Sequence, residues 1–301
     1  VSTPNPEGTE LTVRRATGGE LRAALMLLPP APGVRPDFHL VAGPRQPALV
    51  HGAASMIPLL TPRGERQGGV RLHVAPGLRQ KGCGSLLLAA LRTEAAKQGI
   101  RALTYQAAPQ DDPELAGFLC RRGFVPQASL LTYEVETAVL ANRLVPLLER
   151  ARRSRAYHGA FTIVALEEPW LEAAARLHVA EIGGTLPAVL SHLKARRAQP
   201  ESDDSALLLV NGEVAGMVLH RTIEGVSHLD AQVIREDLRG GGGAAGVAKL
   251  ALRVKCLERA VARGSQRCRA SCRSDNQETL NVAARSGATL ISEERVLTLT
   301  L

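Results

Sequence analysis

The sequence predicts an α/β chain of two tandem units, each a mixed twisted β-sheet flanked by helices. Three observations predict it. Short β-like runs alternate with amphipathic helical stretches along the whole chain. One glycine-rich pattern occurs twice, as Arg79-Gln80-Lys81-Gly82-Cys83-Gly84 and as Arg239-Gly240-Gly241-Gly242-Gly243-Ala244. The landmarks around it keep a near-constant offset: Arg79 and Arg239 are 160 apart, Gly99 and Gly264 165, Gly123 and Gly287 164. A period held over several landmarks marks a duplication.

In the first half, Leu11–Thr17 reads as a strand and Gly19–Leu28 as a helix, followed by a proline-rich loop over Pro29–Pro36. Strands are expected at Phe38–Ala42 and Ala48–Pro58, a turn at Pro62–Gly69 and a strand at Val70–Val74. Gly84–Gln98 has Leu87, Leu88, Leu91 and Ala95 on one side and Gly99 as its stop, which predicts a helix. Arg101–Ala107 is the next strand, Pro113–Arg122 a helix ending at Gly123, and Phe124–Glu136 one or two strands. Leu144–Arg155 reads as a linker helix that packs the halves together.

The second half repeats the order. Phe161–Leu166 is a strand, and Pro169–Ala180 and Leu186–Arg196 are helical around Gly183-Gly184. Ala206–Val210 and Glu213–Thr222 flank Asn211-Gly212, a two-residue hairpin signal. Val226–Ile234 is the strand before the second glycine stretch. In Ala245–Arg263, Val247, Leu250, Val254, Leu257 and Val261 form a helical apolar stripe. Arg267–Arg273, Gln277–Ser286 and Ala288–Leu301 follow as strand, helix and closing strands. The expected division is 1–140, a linker at 141–157, and 158–301.

Composition narrows the function. A chain of 301 residues, 45% hydrophobic and 22% charged, is ordinary for two soluble domains. No apolar run is long enough to span a bilayer, and no secretory signal is expected. Five cysteines, an odd number, argue for a reducing compartment, the cytoplasm, and against a disulfide framework. Cys268 and Cys272 lack zinc spacing, so no metal is expected. The net charge of +8 would suit nucleic acid, but only 3% of residues are aromatic, which leaves few stacking platforms. The bland reading is a GC-rich genome that favours Arg codons, and the charge also suits a polyanionic cofactor.

A strand, a glycine-rich turn and a helix N-terminus form a phosphate cradle. Glycines let backbone N–H groups converge, and the helix adds free N–H groups and the positive end of its dipole. Two nucleotide motifs can be excluded. Walker A needs Lys-Ser or Lys-Thr after its last Gly, and neither stretch has it. A dinucleotide fingerprint needs Gly-x-Gly-x-x-Gly and an acidic residue ending the next strand. Gly82-Cys83-Gly84 lacks the third Gly, and the next strand ends at Ala107-Ala108-Pro109.

Val74-Ala75-Pro76-Gly77-Leu78-Arg79-Gln80-Lys81-Gly82-Cys83-Gly84 closely resembles the Val-x-Pro-x-x-Arg-x-x-Gly-x-Gly motif of the Gcn5-related N-acetyltransferase (GNAT) family. Ile234 through Ala244 is similar, with Glu236 in place of Pro. Phe118–Phe124 resembles the family's helix ending in Gly-Phe, and Asp275-Asn276 with Gly287-Ala288 resembles the same region in the second half. The resemblance covers most of both halves. It implies acetyl-CoA, or another acyl-CoA, as cofactor and an amine of a small molecule or peptide as acceptor, attacking the thioester directly. It implies that the N–H groups of Gln80, Lys81, Gly82, Cys83 and Gly84, and of Gly240, Gly241, Gly242, Gly243 and Ala244, hold the pyrophosphate. Arg79 and Arg239 would add charge-assisted contacts. Leu72–Val74 and Gln232–Ile234 would pair with pantetheine, Asn276 would join the cofactor site, and the N–H of Val74 or Ile234 would polarise the thioester carbonyl.

The chain also departs from the family at the position of the thiolate acid. Where many members carry a tyrosine as thiolate acid, it has Leu119 and Ala283. Asp230, on the strand before the second cradle, is the candidate base, with a solvent-facing strand carboxylate as the alternative. His73, His228 and Tyr105 read as ordinary strand residues. Cys83 sits where a helix N-terminus lowers a thiol pKa, but at a freely variable motif position. No nucleophile elbow supports a Ser-His-Asp arrangement. The expected function is N-acyl transfer, with chemistry in the second domain. The rival readings are a weak or inactive acyl-CoA sensor or scaffold and a nucleic-acid-associated modifier.

Overall fold

The computed structural model describes residues 2–4, 10–28, 36, 38–44, 49–61, 64–107, 113–153, 161–200, 202–238 and 244–301. The expected loop at Pro29–Pro36 lies outside them, Pro36 excepted. The chain packs into two units. Unit 1 takes Val1–Gln127, Gly183–Ala188 and Val296–Leu301, and unit 2 takes Ala128–Ile182 and Val189–Arg295. This division differs from one at 140 and 158, because two later stretches return to unit 1 and the expected linker counts with unit 2.

In unit 1, strands β1 (Ser2–Pro4), β2 (Glu10–Arg15), β3 (His39–Gly43), β4 (Gly52–Leu60), β5 (Arg66–Val74) and β6 (Ala102–Ala107) lie side by side in chain order. Pairing is antiparallel from β1 to β5 and parallel between β5 and β6. The parallel step needs a crossover, supplied by helix α2 (Cys83–Lys97). Leu87, Leu91 and Ala95 of α2 pack on Leu40, Ala54, Met56, Leu72 and Leu103. Helix α1 (Gly19–Leu27) covers the other face through Ala24, which packs with Leu28, Val41 and Ala53. Helix α3 (Pro113–Arg121) brings Leu119 to the α2 side.

The turn between β4 and β5 is tighter than expected. Thr61 donates its N–H to Glu65 at 3.0 Å, and Gly64 takes φ 77°. Gly68 and Gly69, read from sequence as turn residues, lie inside β5 instead. A Cβ on Gly68 would stand 2.6 Å from the Met56 sulfur and 3.0 Å from Leu103. These glycines mark close packing within a strand.

Two returning segments complete unit 1. Gly183 bridges to Leu59, and Gly184 donates to the Pro58 carbonyl at 2.6 Å. Gly183 has φ 108°, and a Cβ there would lie 2.8 Å from Leu59 Cα, so no other residue fits. The end of strand β13 (Thr289–Thr300) places Leu297 and Leu299 in the unit 1 core, and Leu301 donates to the Arg101 carbonyl at 2.9 Å.

In unit 2, the strand order is β7 (Val125–Glu136), β12 (Arg267–Arg273), β11 (Val226–Ile234), β10 (Glu213–Ile223), β9 (Ala206–Val210) and β8 (Phe161–Ala165). Again one pair, β11 with β12, is parallel and the rest are antiparallel. Helix α7 (Ala244–Ala262) makes the crossover, with Ala248, Leu252 and Cys256 against Ala206, Leu208 and Val218. Helices α5 (Leu171–Glu181), α6 (Leu186–Arg197) and α8 (Gln277–Ser286) complete the set expected from sequence.

Helix α4 spans Thr137–Arg153 and so starts seven residues before the expected Leu144; Ser154 and Arg155 lie outside the described residues. Pro146 lies inside the helix. Leu148 of α4 is buried against Val247, Ala251 and Val254 of α7.

Leu297 is 3% exposed in the unit 1 core and Leu290, earlier on the same strand, is 46% exposed. Leu297→Ala is expected to cost about 2–5 kcal/mol and Leu290→Ala less than about 0.5 kcal/mol, measured by urea unfolding followed by circular dichroism.

Candidate active site

In unit 1 the site begins where the parallel pair stops. β5 and β6 are in register only at Gln67–Gly69 with Ala102–Thr104. β5 then runs on to Val74 and β6 to Ala107, leaving a splay between them. After β5 a single helical turn, Pro76–Leu78, leads to the glycine stretch. Gln80 and Gly82 both take left-handed backbone angles, φ 62° and 83°, and Gly82 is the N-cap of α2. The turn therefore folds back on itself and presents the first N–H groups of α2 to the splay.

A cavity of about 710 Å³ lies there, bounded by Leu72, His73 and Val74, by the turn, and by Leu115, Phe118 and Arg122. A Cβ on Gly84 would come within 3.3 Å of the Phe118 ring and 3.6 Å of Val74, so glycine keeps this wall open. Arg79, Arg121 and Arg122 all line the space, which suits a polyanion. Arg79 is already anchored: it donates to the Val74 carbonyl at 3.3 Å and pairs with Glu114 at 2.9 Å. Arg122 donates to Ser85 Oγ at 2.6 Å and lies over the Phe118 ring.

Of the expected residues in this half, Leu72, Val74, Arg79, Gln80, Gly82 and Gly84 line the cavity. Lys81 lies in the same turn, and Cys83 is the first residue of α2 with its side chain turned into the core. Burial pushes the Cys83 thiol up to about 11. The helix N-terminus does not win there, contrary to the sequence reading, and only the Cys83 backbone faces the turn's task.

Unit 2 repeats the splay with one change. β11 pairs with β12 at Val226–Leu229 and Arg267–Ala270, then leaves it. Between β10 and β11 the register slips: His220 faces Leu229 and Leu219 faces Ala231, so Asp230 is the extra residue of a β-bulge. The β4–β5 register of unit 1 is continuous. Asp230 accepts from Arg196 at 2.6 Å, and the Arg221 guanidinium lies 3.0 Å from the same carboxylate oxygen. That oxygen, Oδ2, already faces two cations.

Other predicted residues in this half hold local structure. Gln232 accepts from Arg253 at 2.5 Å, Ile234 is buried on α7, and Asn276 caps α8 by accepting from the Thr279 N–H at 3.1 Å. Ala244 is the first residue of α7, as the cradle requires. Arg239, Gly240, Gly241, Gly242 and Gly243 lie outside the described residues.

A buried polar network that sequence reasoning missed sits behind Asp230. Ser227 Oγ is 2.8 Å from His220 Nε2, and His220 Nδ1 is 3.9 Å from Asp204. The residue types are those of a hydrolase triad, but Ser227 and Asp204 have no exposed surface, and Ser227 is on a strand rather than an elbow. Asp204 also accepts from Thr222 and Arg263, each at 2.6 Å. The network is structural, and the adjacent acids Asp203-Asp204 after a helix were its one trace in the sequence. Burial lowers His220 to about 4, against the pull of Asp204. Burial, aided by Arg196, likewise lowers His192 to about 4.

The two histidines make stability depend on pH. Between the ordinary value of 6.5 and about 4, the unfolded chain binds protons that the folded chain refuses. Stability is therefore whole above pH 6.5 and falls as the pH drops through that window, by roughly 3 kcal/mol for His220. Urea titrations from pH 7 to 4 should show this fall, with a shallower slope in His220→Asn.

The positions of the family's tyrosine hold Leu119, buried in the core, and Ala283, neither of which can donate a proton. No protein-family model and no curated protein matches the chain. Solved structures do. Eis1 from Mycobacterium abscessus aligns with 95% of this chain and 73% of its own, at 18% identity and TM-score 0.57. A GCN5-related N-acetyltransferase from Kribbella flavida aligns with 87% of this chain and 59% of its own, at 14% identity and TM-score 0.54. One from Anabaena variabilis aligns with 86% and 62%, at 14% identity and TM-score 0.54. The chain thus spans about three-fifths of the length of the last two. Among the described residues no helix is long and apolar enough to cross a membrane. The splayed parallel pair, the glycine turn and the helix after it, found in a chain with these structural neighbours, give this protein the fold of the GCN5-related N-acetyltransferases.

Proposed function

We propose that the protein is an acyl-CoA-dependent N-acyltransferase, with acetyl-CoA as donor and an amine of a small molecule or peptide as acceptor. One observation carries the reading: the cavity of about 710 Å³ at the unit 1 splay, walled by a left-handed glycine turn and by Arg79, Arg121 and Arg122. Its shape and charge fit a diphosphate with a long polar arm. The bare backbone of Gly82 and the open wall at Gly84 leave room for it.

The N–H groups of Gln80 through Gly84 would bind the diphosphate, and Leu72–Val74 would order the arm along the open edge of β5. When bound, acyl-CoA supplies an activated thioester for direct transfer to the amine. The Val74 N–H, and Ile234 in unit 2, would stabilise charge on the acyl oxygen. The amine must lose a proton. Asp230 is the candidate acceptor of that proton in unit 2, and the two arginines on its Oδ2 would make its carboxylate a weaker base.

A second reading has its own support. With Leu119 and Ala283 at the tyrosine positions and Asp230 held by Arg196 and Arg221, the chain would bind acyl-CoA as a sensor and turn it over slowly or not at all.

Calorimetry with acetyl-CoA, followed by thiol release against a panel of amines, separates the two. Gly82→Val should weaken binding at least tenfold, because a β-branched residue resists φ near 83°. Arg79→Ala should weaken it several-fold and reduce its salt dependence. Binding without thiol release on any acceptor favours the sensor. An unchanged rate in Asp230→Ala removes Asp230 as the base.

A further inference from the structure

The two units pack the same helix–sheet layer with different side chains. The registers of the parallel pairs align β6 with β12: Leu103 beside Gly68 corresponds to Cys268 beside Ser227, and Tyr105 to Ala270. The glycines that end the following helices, Gly123 and Gly287, align Leu119 with Ala283 and Phe124 with Ala288. In unit 1 all four residues are large and buried in the core. In unit 2 all four counterparts are small, and all four line a cavity of about 100 Å³ with almost wholly apolar walls.

This cavity meets the splay. Leu229 and Ala270 are the last paired residues of β11 and β12, and both line it. It extends from the point where the strands part toward Cys256 of α7 and Ala283 of α8. Arg253, whose guanidinium is held by Gln232 of β11, stands among its lining residues. The pocket is partly open to its surroundings, and its apolar walls lose some of the contacts that a filled core would make. Apolar cavities on the order of 150 Å³ stay dry and take up ligands as large as benzene.

We propose that unit 2 binds a CoA ester whose acyl group is longer than acetyl, with the hydrocarbon tail in this cavity. The proposal rests on the acyltransferase reading and adds the acyl class to it. Unit 1 has Tyr105 and Phe124 in the equivalent space and takes no tail. The two units thus differ in donor chain length.

The test is binding of acetyl-, butyryl-, hexanoyl- and octanoyl-CoA to the full chain by calorimetry, with thermal unfolding in benzene as an independent probe of the cavity. From acetyl to about six carbons, affinity at one class of sites should rise about fourfold per added methylene, while the other class stays flat. Benzene should raise the melting temperature. Ala270→Tyr, which restores the unit 1 side chain, should abolish the chain-length dependence and the benzene effect and leave acetyl-CoA binding unchanged. Ala283→Leu provides a smaller filling of the same space should the tyrosine fail to fold. Acetyl-CoA binding with no chain-length dependence overturns the proposal and spares the acyltransferase reading. Chain-length dependence that survives both variants overturns the placement of the tail. No binding of any CoA ester overturns the acyltransferase reading and the proposal with it, even where benzene still protects.

Discussion

Strands β5 and β6 are in register over three residue pairs and then part, and a backbone that leaves its neighbour must find other partners for its N–H and C=O groups. β5 meets that demand on one side by pairing with β4 along its whole length. On the other side its edge stays open beside the glycine turn. The position of the turn is fixed from behind, because Leu87, Leu91 and Ala95 bury α2 against the sheet. Gly52 lets α2 approach closely: a Cβ there would meet the His73 carbonyl at 2.8 Å and Cys83 Sγ at 3.0 Å. An open strand edge and a helix N-terminus are thereby held at one place without a single catalytic side chain.

Much of this was legible in the sequence because it rests on local rules. The glycine stops at Gly99, Gly123, Gly264 and Gly287 are backbone requirements, and all four take positive φ in the structure. The stripe of α7 holds only in part: Val261 is exposed, and the sheet is covered by Ala248, Leu252 and Cys256 instead. The errors came where local rules have two meanings. Gly68 and Gly69 read as a turn but serve close strand packing against Met56 and Leu59. Leu144 read as the start of the linker helix, but α4 starts at Thr137. The site was legible only as backbone. No pattern in the sequence shows that Asp230 occupies a bulge, nor that Arg196, 34 positions away, reaches it. Both facts come from tertiary packing, and both bear on whether that carboxylate can serve as a base.

The duplicated halves keep the frame and differ in what fills it. In unit 1 the layer behind the splay is a dense set of leucines with Met56, Tyr105 and Phe124. In unit 2 the same layer holds cysteines, alanines and the buried His220 network, together with a strand bulge that unit 1 lacks. Packing density and polar burial set how stiff a layer is and which ligands it admits. The two splays are thus different instruments on one backbone.

The end of β13 gives the chain a distinctive history. Residues Val296–Leu301 supply Leu297 and Leu299 to a core whose other members all precede residue 125. A ribosome delivers the whole of unit 2 before it delivers those two leucines, so the first unit to emerge is the last to be finished. During synthesis its sheet waits with an uncovered edge and an underfilled core, the condition in which nascent domains meet chaperones or aggregate. Unit 2 needs no residue beyond Arg295, so its own strands and helices are all delivered before those two leucines.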